Sequence, residues 1–332
     1  MLLETLSNLA GPSGFEGEVR NFIKEQIMEF VDEVKIDRMG NIIAHKRGQG
    51  KKVVVAAHMD EVGLVITGYN EDGTLTFQSL GGINAKILPS KPVLIGEKRL
   101  VGVIGLKPIH LQSEEEKRNF SYKTCCIDIG AIGKEEAKKS VALGEYAVFD
   151  TVFETFGEGF VKGKALDDRV GCSILIELLK ENYTCDLYGV FNVQEETGSR
   201  GAYVSAYNIE PELGVILEGT ICADMPNIPK YLTATELRKG PAISMMDSGS
   251  IFDYEVVSSL RKLAEKNKIP YQLRKAVAGG NDASSIQGSG EGARVVTISV
   301  PCRYLHSSVS VCSIQDYENT KKLAISYLKT IG

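Results

Sequence analysis

Two adjacent carboxylates, Glu195 and Glu196, follow the apolar run Leu187-Tyr188-Gly189-Val190-Phe191 and precede Thr197-Gly198. Neighbouring side chains on a strand point to opposite faces, so both glutamates serve one site only where the strand ends and the backbone turns. Thr197 and Gly198 supply such a turn. A carboxylate removed from water must be protonated, paired or metal-bound. Two side by side point to a cation, and hydrolytic metal sites commonly use one carboxylate as ligand and another as general base. The plain alternative is a solvated surface pair, so the rest of the chain has to decide.

Four more segments place chemistry-bearing residues at strand ends or in the loops after them. His58-Met59-Asp60 follows the apolar run Val53–Ala57, and an Asp two residues after a His is placed to fix the orientation of its ring. Asp167-Asp168 stands just before a helical pattern, where a carboxylate also serves as a cap. Here Asp168 reads as a positioning residue. Glu218 closes the run Leu213–Leu217, and His306 lies shortly after the run Arg294–Val300. Side chains delivered from the C-terminal ends of parallel strands converge on one crevice. Histidine and carboxylate without thiolate suit catalytic Zn²⁺, and also Co²⁺ or Mn²⁺. His45 and His110 have no such context and read as structural or surface residues.

The elements that must position these groups alternate in texture. Ser13 with Glu16 reads as a capping box before a helix carrying Val19, Phe22, Ile23, Ile27 and Phe30 on one face. Lys51–His58 feeds a continuous apolar run, the pattern of a strand covered on both faces of an α/β sheet. Residues 64–163 consist of short β-like segments and Gly, Asn and Asp turns, which predicts an inserted all-β, barrel-like module. Residues 1–63 and 164–332 then form one discontinuous α/β domain. The run Glu114–Arg118 within the insert reads as a solvated loop. After residue 163 come a helix with Val170, Ile174, Leu178 and Leu179, a helix over 252–267, and a C-terminal helix starting near Ser313 with Asp316 as its box partner.

Composition excludes several classes. A net charge of −5 with no long basic run argues against nucleic acid. Apolar stretches stop well short of the ~18 residues that span a bilayer. The N-terminus lacks a basic segment and carries Glu4, so no secretory signal is expected. Seven cysteines without a Cys-x-x-Cys spacing read as reduced thiols of a cytoplasmic protein.

The segments AAHMDEVG, GKALDDRVG, VQEETGSRGA, LEGTICADMP, GGNDAS and PCRYLHSS, in this order, resemble the M42 family of metallo-aminopeptidases over essentially the whole chain. That family includes tetrahedral aminopeptidases and proteins labelled glutamyl aminopeptidase or endoglucanase. The resemblance implies a zinc-peptidase-type mixed sheet with helices on both faces, an inserted barrel, and two divalent metal ions per subunit. By position, Asp167 would bridge the metals. His58 and Glu218 would complete one site, and Glu196 and His306 the other. Glu195 would be the general base and Asp60 the residue orienting His58. Many members carry Asp where this chain has Glu218, which makes Asp224 a competing ligand. His306-Ser307-Ser308-Val309-Ser310 also departs from the His-Ser-Pro-Val-Glu of many relatives. Three ligand carboxylates against two divalent ions leave a net charge of +1, favouring hydroxide as the bridging ligand, with water acidified from 15.7 toward roughly 7.

The implied activity is removal of N-terminal residues from short peptides by a homo-oligomer, in the family a dodecameric tetrahedral particle. A metal-dependent deacylase acting on non-peptide amides and a non-catalytic metal-binding scaffold are the alternatives. An endoglucanase would place two carboxylates across a sugar bond without needing two metals.

Overall fold

The apolar runs read as covered strands lie side by side at the centre of a large mixed sheet. A computed structural model describes residues 1–118, 120–275 and 279–332. The four central strands, Asp186–Asn192, Lys52–His58, Leu213–Ile221 and Arg294–Arg303, run parallel in that order. Antiparallel strands extend the sheet on both sides, Glu33–Ile36 and Ile42–Lys46 on one, Ser310–Ser313, Phe160–Gly163 and Glu154–Phe156 on the other. Lys52–His58 is the first of the parallel strands in the chain, and a later one is added on each side of it. The carboxyl end of that strand is therefore the point at which the topology reverses and a crevice opens.

Helices cover both faces. Leu166–Leu179 packs on the central strands and against Leu2–Asn8, Gly17–Ile27 and Ile314–Leu328. Arg200–Ile209 and Ala283–Gln287 pack together as a second group. With both faces covered, Val53–Ala57 and Leu213–Leu217 are buried without polar alternation. Among the described residues, no helix is long and apolar enough to cross a membrane.

Between Glu61 and Phe149 the chain leaves the sheet and closes a six-stranded antiparallel barrel. Its strands are Gly63–Tyr69, Leu75–Leu80, Cys125–Asp128, Leu100–Leu106, Pro92–Ile95 and Tyr146–Phe149, in spatial order. It has its own core, with Leu64, Phe77, Val93 and Ile127 inside. Closure removes the edges that a sheet this small would otherwise expose.

The structure corrects several local expectations. Residues 154–163, grouped by texture with the insert, pair into the large sheet, because Phe160–Gly163 finds an open edge at Ser310–Ser313. Ser13 and Glu16 form no capping box: the helix begins at Gly17, and the Ser13 hydroxyl donates instead to Asp60. That helix ends at Ile27, leaving Phe30 exposed beyond it. Ser313 makes no side-chain cap, and Asp316 accepts the backbone N–H groups of Arg238 and Gly240 instead. Glu114–Arg118 is a short helix in place of a loop.

The start of helix Arg200–Ile209 is pressed onto the end of strand Asp186–Asn192. A Cβ on Gly201 would stand 2.3 Å from Asn41 Oδ1 and 2.4 Å from the Val193 carbonyl oxygen. Asn41 also bridges Val193 N–H and the Gly201 carbonyl, so neither neighbour yields cheaply. Gly201→Ala is expected to cost about 1–3 kcal/mol by overpacking, read as a lowered urea midpoint; an unchanged midpoint would show that this junction has slack.

Candidate metal centre

His58 is the last residue of its strand, and its ring is fixed from behind. Nδ1 donates to the Asp60 carbonyl oxygen at 3.1 Å and lies 3.3 Å from Asp60 Oδ1. His306, in a loop where its own φ is 56°, donates from Nδ1 to the carbonyl oxygen of Gly82 in the barrel at 2.9 Å. A ring whose Nδ1–H is engaged this way presents Nε2 as the lone-pair donor. Both Nε2 atoms face the same carboxylate.

That carboxylate is Asp167. Its Oδ1 is 3.4 Å from His58 Nε2 and its Oδ2 is 3.5 Å from His306 Nε2. Glu218 Oε1 stands 3.4 Å from His58 Nε2, and Glu196 Oε2 stands 3.6 Å from His306 Nε2. Two ligands about 2.0–2.1 Å from a tetrahedral ion are roughly 3.3 Å apart, so these spacings suit a small divalent cation. Asp167 Oδ1 is buried and lacks a hydrogen-bond partner among the described residues, as expected of an atom meant for a cation. The donor sets therefore fit two metal ions.

Two compact groups of potential ligands result, Asp167 with Glu196 and His306, and His58 with Glu218 and Asp168. Asp168 is nevertheless committed elsewhere, because Oδ1 accepts from Gly171 N–H and Oδ2 from His58 N–H. Asp224 is also committed, in a two-pronged pair with Arg303 at 2.7 and 2.8 Å. Of the two acidic candidates on that segment, Glu218 is the one at the crevice.

Glu195 Oε2 lies 4.0 Å from His58 Nε2, and Oε1 accepts a long 3.4 Å bond from Ser199. Burial raises its proton affinity well above the usual carboxylate range, and Asp282, Glu196 and Asp167 add to this against His58. Asp60 is held low despite its burial by His58, Ser13 and the Glu195 N–H. The loop following strand Asp186–Asn192 hangs from Asp60, with Glu195 N–H bonding Oδ1 at 2.9 Å and Glu196 N–H bonding Oδ2 at 3.1 Å. Its turn is made at Gln194, φ 56°.

Several supporting residues were not read from the sequence. Ser13 holds Asp60 at 2.6 Å. Glu61 is buried between Lys164 at 2.7 Å and Arg169 at 3.3 Å, and Arg169 Nε donates to the Met59 carbonyl, so a charged cluster clamps the loop after His58. Asp282 is buried beside the site, accepts from Asn192 Nδ2 at 2.8 Å, and is pushed up to about 6 mainly by burial. Gly279, Gly280 and Asn281 line the cavity of about 680 Å³ over the site. His45 pairs with Asp186 and stacks on Tyr188, and none of the three lines the cleft.

A mixed sheet bearing two His–carboxylate clusters at the carboxyl ends of its parallel strands defines a metallohydrolase-type centre. The family model for M42 glutamyl aminopeptidase matches residues 40–323. The chain belongs to the M42 family, a family of metal-dependent peptidases, and is a peptide-bond hydrolase. It is 33% identical to lysyl aminopeptidase of Pyrococcus furiosus, covering 99% of this chain and 96% of that one. An aminopeptidase of the archaeon Desulfurococcus kamchatkensis superposes with a TM-score of 0.94 at 36% identity, covering 99% and 93%. Pyrococcus horikoshii TET1 peptidase, described as assembling into a tetrahedron or a large octahedral shell, superposes with a TM-score of 0.88 at 33% identity, covering 98% of each.

Without metal, the hydrogen bond to Asp167 raises His306 to about 10 against its burial, and burial raises Glu196 to about 7. Ligation needs a neutral imidazole and an ionised carboxylate, so both protons must leave. Zn²⁺ uptake by the chelated protein at pH 7 is expected to release at least one proton per chain, and affinity should climb as pH rises toward 10. Calorimetry in buffers of different ionisation enthalpy measures this; uptake with no proton release would mean that His306 and Glu196 do not take the metal.

Proposed function

We propose that the chain is a dinuclear aminopeptidase that removes N-terminal residues from short peptides. The observation that carries this reading is Asp167, a single carboxylate whose two oxygens face two histidines of separate clusters at 3.4 and 3.5 Å. Asp167 would hold both ions, with His58 and Glu218 completing one site and Glu196 and His306 the other. Zn²⁺ suits these donors first, with Co²⁺ and Mn²⁺ as alternatives. Divalent ions bound there supply Lewis acidity toward a peptide carbonyl and lower the pKa of water.

The chain's own residues do the rest. Glu195 accepts at Oε2 the proton of the attacking water and returns it to the departing amine. Asp60 keeps the His58 ring in register and the Glu195–Glu196 loop in place. The carboxylate-rich cleft is complementary to the free ammonium of a peptide N-terminus.

A homo-oligomer, in the form of a dodecamer, is supported by the likeness to a TET1 structure described as a dodecamer. The inserted barrel would contribute contacts or control access. A cytoplasmic setting is supported by seven cysteines that are all free.

Chelated protein titrated with Zn²⁺, Co²⁺ and Mn²⁺ is expected to regain hydrolysis of aminoacyl-p-nitroanilides. Turnover that survives complete chelation, or none with two metals bound, would overturn the reading. Glu195→Gln should lower kcat by roughly 10²–10⁴ with metal content unchanged; a normal kcat would remove Glu195 from the role of base. Asp167→Ala should lose both metals together by elemental analysis, and a variant retaining two tightly bound ions would show that it is not the bridge.

A further inference from the structure

A second cavity, of about 690 Å³, adjoins the cleft across Gly82, Leu305 and His306, which line both. One wall is the barrel segment that carries Lys86 and Lys91, and the other is the loop from Tyr304 to Val309. The two cavities have opposite electrical character. The cleft is walled by Asp167, Glu195, Glu196, Glu218 and Asp247, with Arg274 as the one described lysine or arginine among its lining residues. Among the described residues the second cavity is lined by no carboxylate, and its charged groups besides His306 are Lys86 and Lys91.

A solvated lysine is ordinary on a protein surface. Two on one concavity that no carboxylate lines among the described residues give that cavity a positive wall. The position matters as much as the charge. Because His306 is a proposed metal ligand, a peptide whose scissile carbonyl sits at the Asp167 clusters has the second cavity within reach of its departing portion. A short peptide carries an ammonium at one end and a carboxylate at the other. The acidic cleft favours the first, and the lysine-walled cavity favours the second and repels the first.

We propose that the second cavity is the seat of the leaving part of the substrate, and that Lys86 and Lys91 bind the C-terminal carboxylate of short peptides. This rests on the aminopeptidase reading and deepens it, making Lys86 and Lys91 specificity-determining residues that select for peptide length. Flexible lysine stems suit this task, since they follow carboxylates set at slightly different distances from the scissile bond.

The test compares a tripeptide with its C-terminal amide on the metal-loaded protein, the N-terminal residue being one that supports anilide hydrolysis. The free acid is expected to be preferred by roughly tenfold in kcat/KM, mostly through KM, as charge-assisted binding at the remote end implies. The preference should fade in octapeptides, whose carboxylate overreaches the cavity, and shrink in about 0.5 M salt, where exposed charges are screened. The paired substitution Lys86→Glu with Lys91→Glu should abolish or invert it; the salt series on the unaltered protein decides the matter if that variant misfolds. Equal rates for acid and amide, or a preference insensitive to salt and to both substitutions, would overturn this inference while leaving the aminopeptidase reading standing. Failure to cleave the anilide or either peptide would strike at that reading instead.

Discussion

The Asp60 carboxylate is the interaction on which the arrangement of the site depends. Fully buried, it accepts the Ser13 hydroxyl and the N–H groups of Glu195 and Glu196, and it lies against the His58 ring. One anion thus joins the chain ahead of the helix at Gly17, the end of the first parallel strand and the loop after the neighbouring one. A buried negative charge is tolerated only when it is matched on all sides, so each of these partners is held as firmly as Asp60 itself. The buried cluster of Glu61, Lys164 and Arg169 braces the same loop from the other side.

The centre it supports is a concentration of like charge. Asp167, Asp168, Glu195, Glu196 and Glu218 are gathered within reach of two imidazoles, and burial drives Glu195, Glu196 and Glu218 toward protonation. In the absence of cations such a cluster retains protons and draws charge onto the histidines, His58 and His306 both being raised. The same features make it receptive to divalent ions, which replace several protons at once. Affinity for metal and sensitivity to pH are therefore two aspects of one electrostatic arrangement.

The barrel is more than an appendage to this centre. The carbonyl of Gly82, just beyond one of its strands, holds the His306 ring, and a Cβ on Gly81 would stand 3.0 Å from the Glu196 side chain. The insert therefore fixes the His306 ring and packs against Glu196 and, with Lys86 and Lys91, borders the adjoining cavity. A module placed between the strand that ends at His58 and the rest of the sheet is well situated to shape both sides of the crevice.

By itself the sequence determined the α/β texture, the covered central strands, the inserted β module and the crevice residues. Each rests on local chemistry: apolar runs without alternation, or carboxylates and histidines where such runs stop. Only the tertiary structure decided partnerships between distant segments. Nothing local distinguishes a Ser13 that caps its own helix from one that reaches Asp60, or assigns strand Phe160–Gly163 to the large sheet rather than to the barrel. Glu218 and Asp224 are equally acidic in sequence, and they differ because Arg303 takes Asp224 while Glu218 is left facing His58. Residue type sets what a side chain is able to do, and the long-range packing of the sheet sets which partner it meets first.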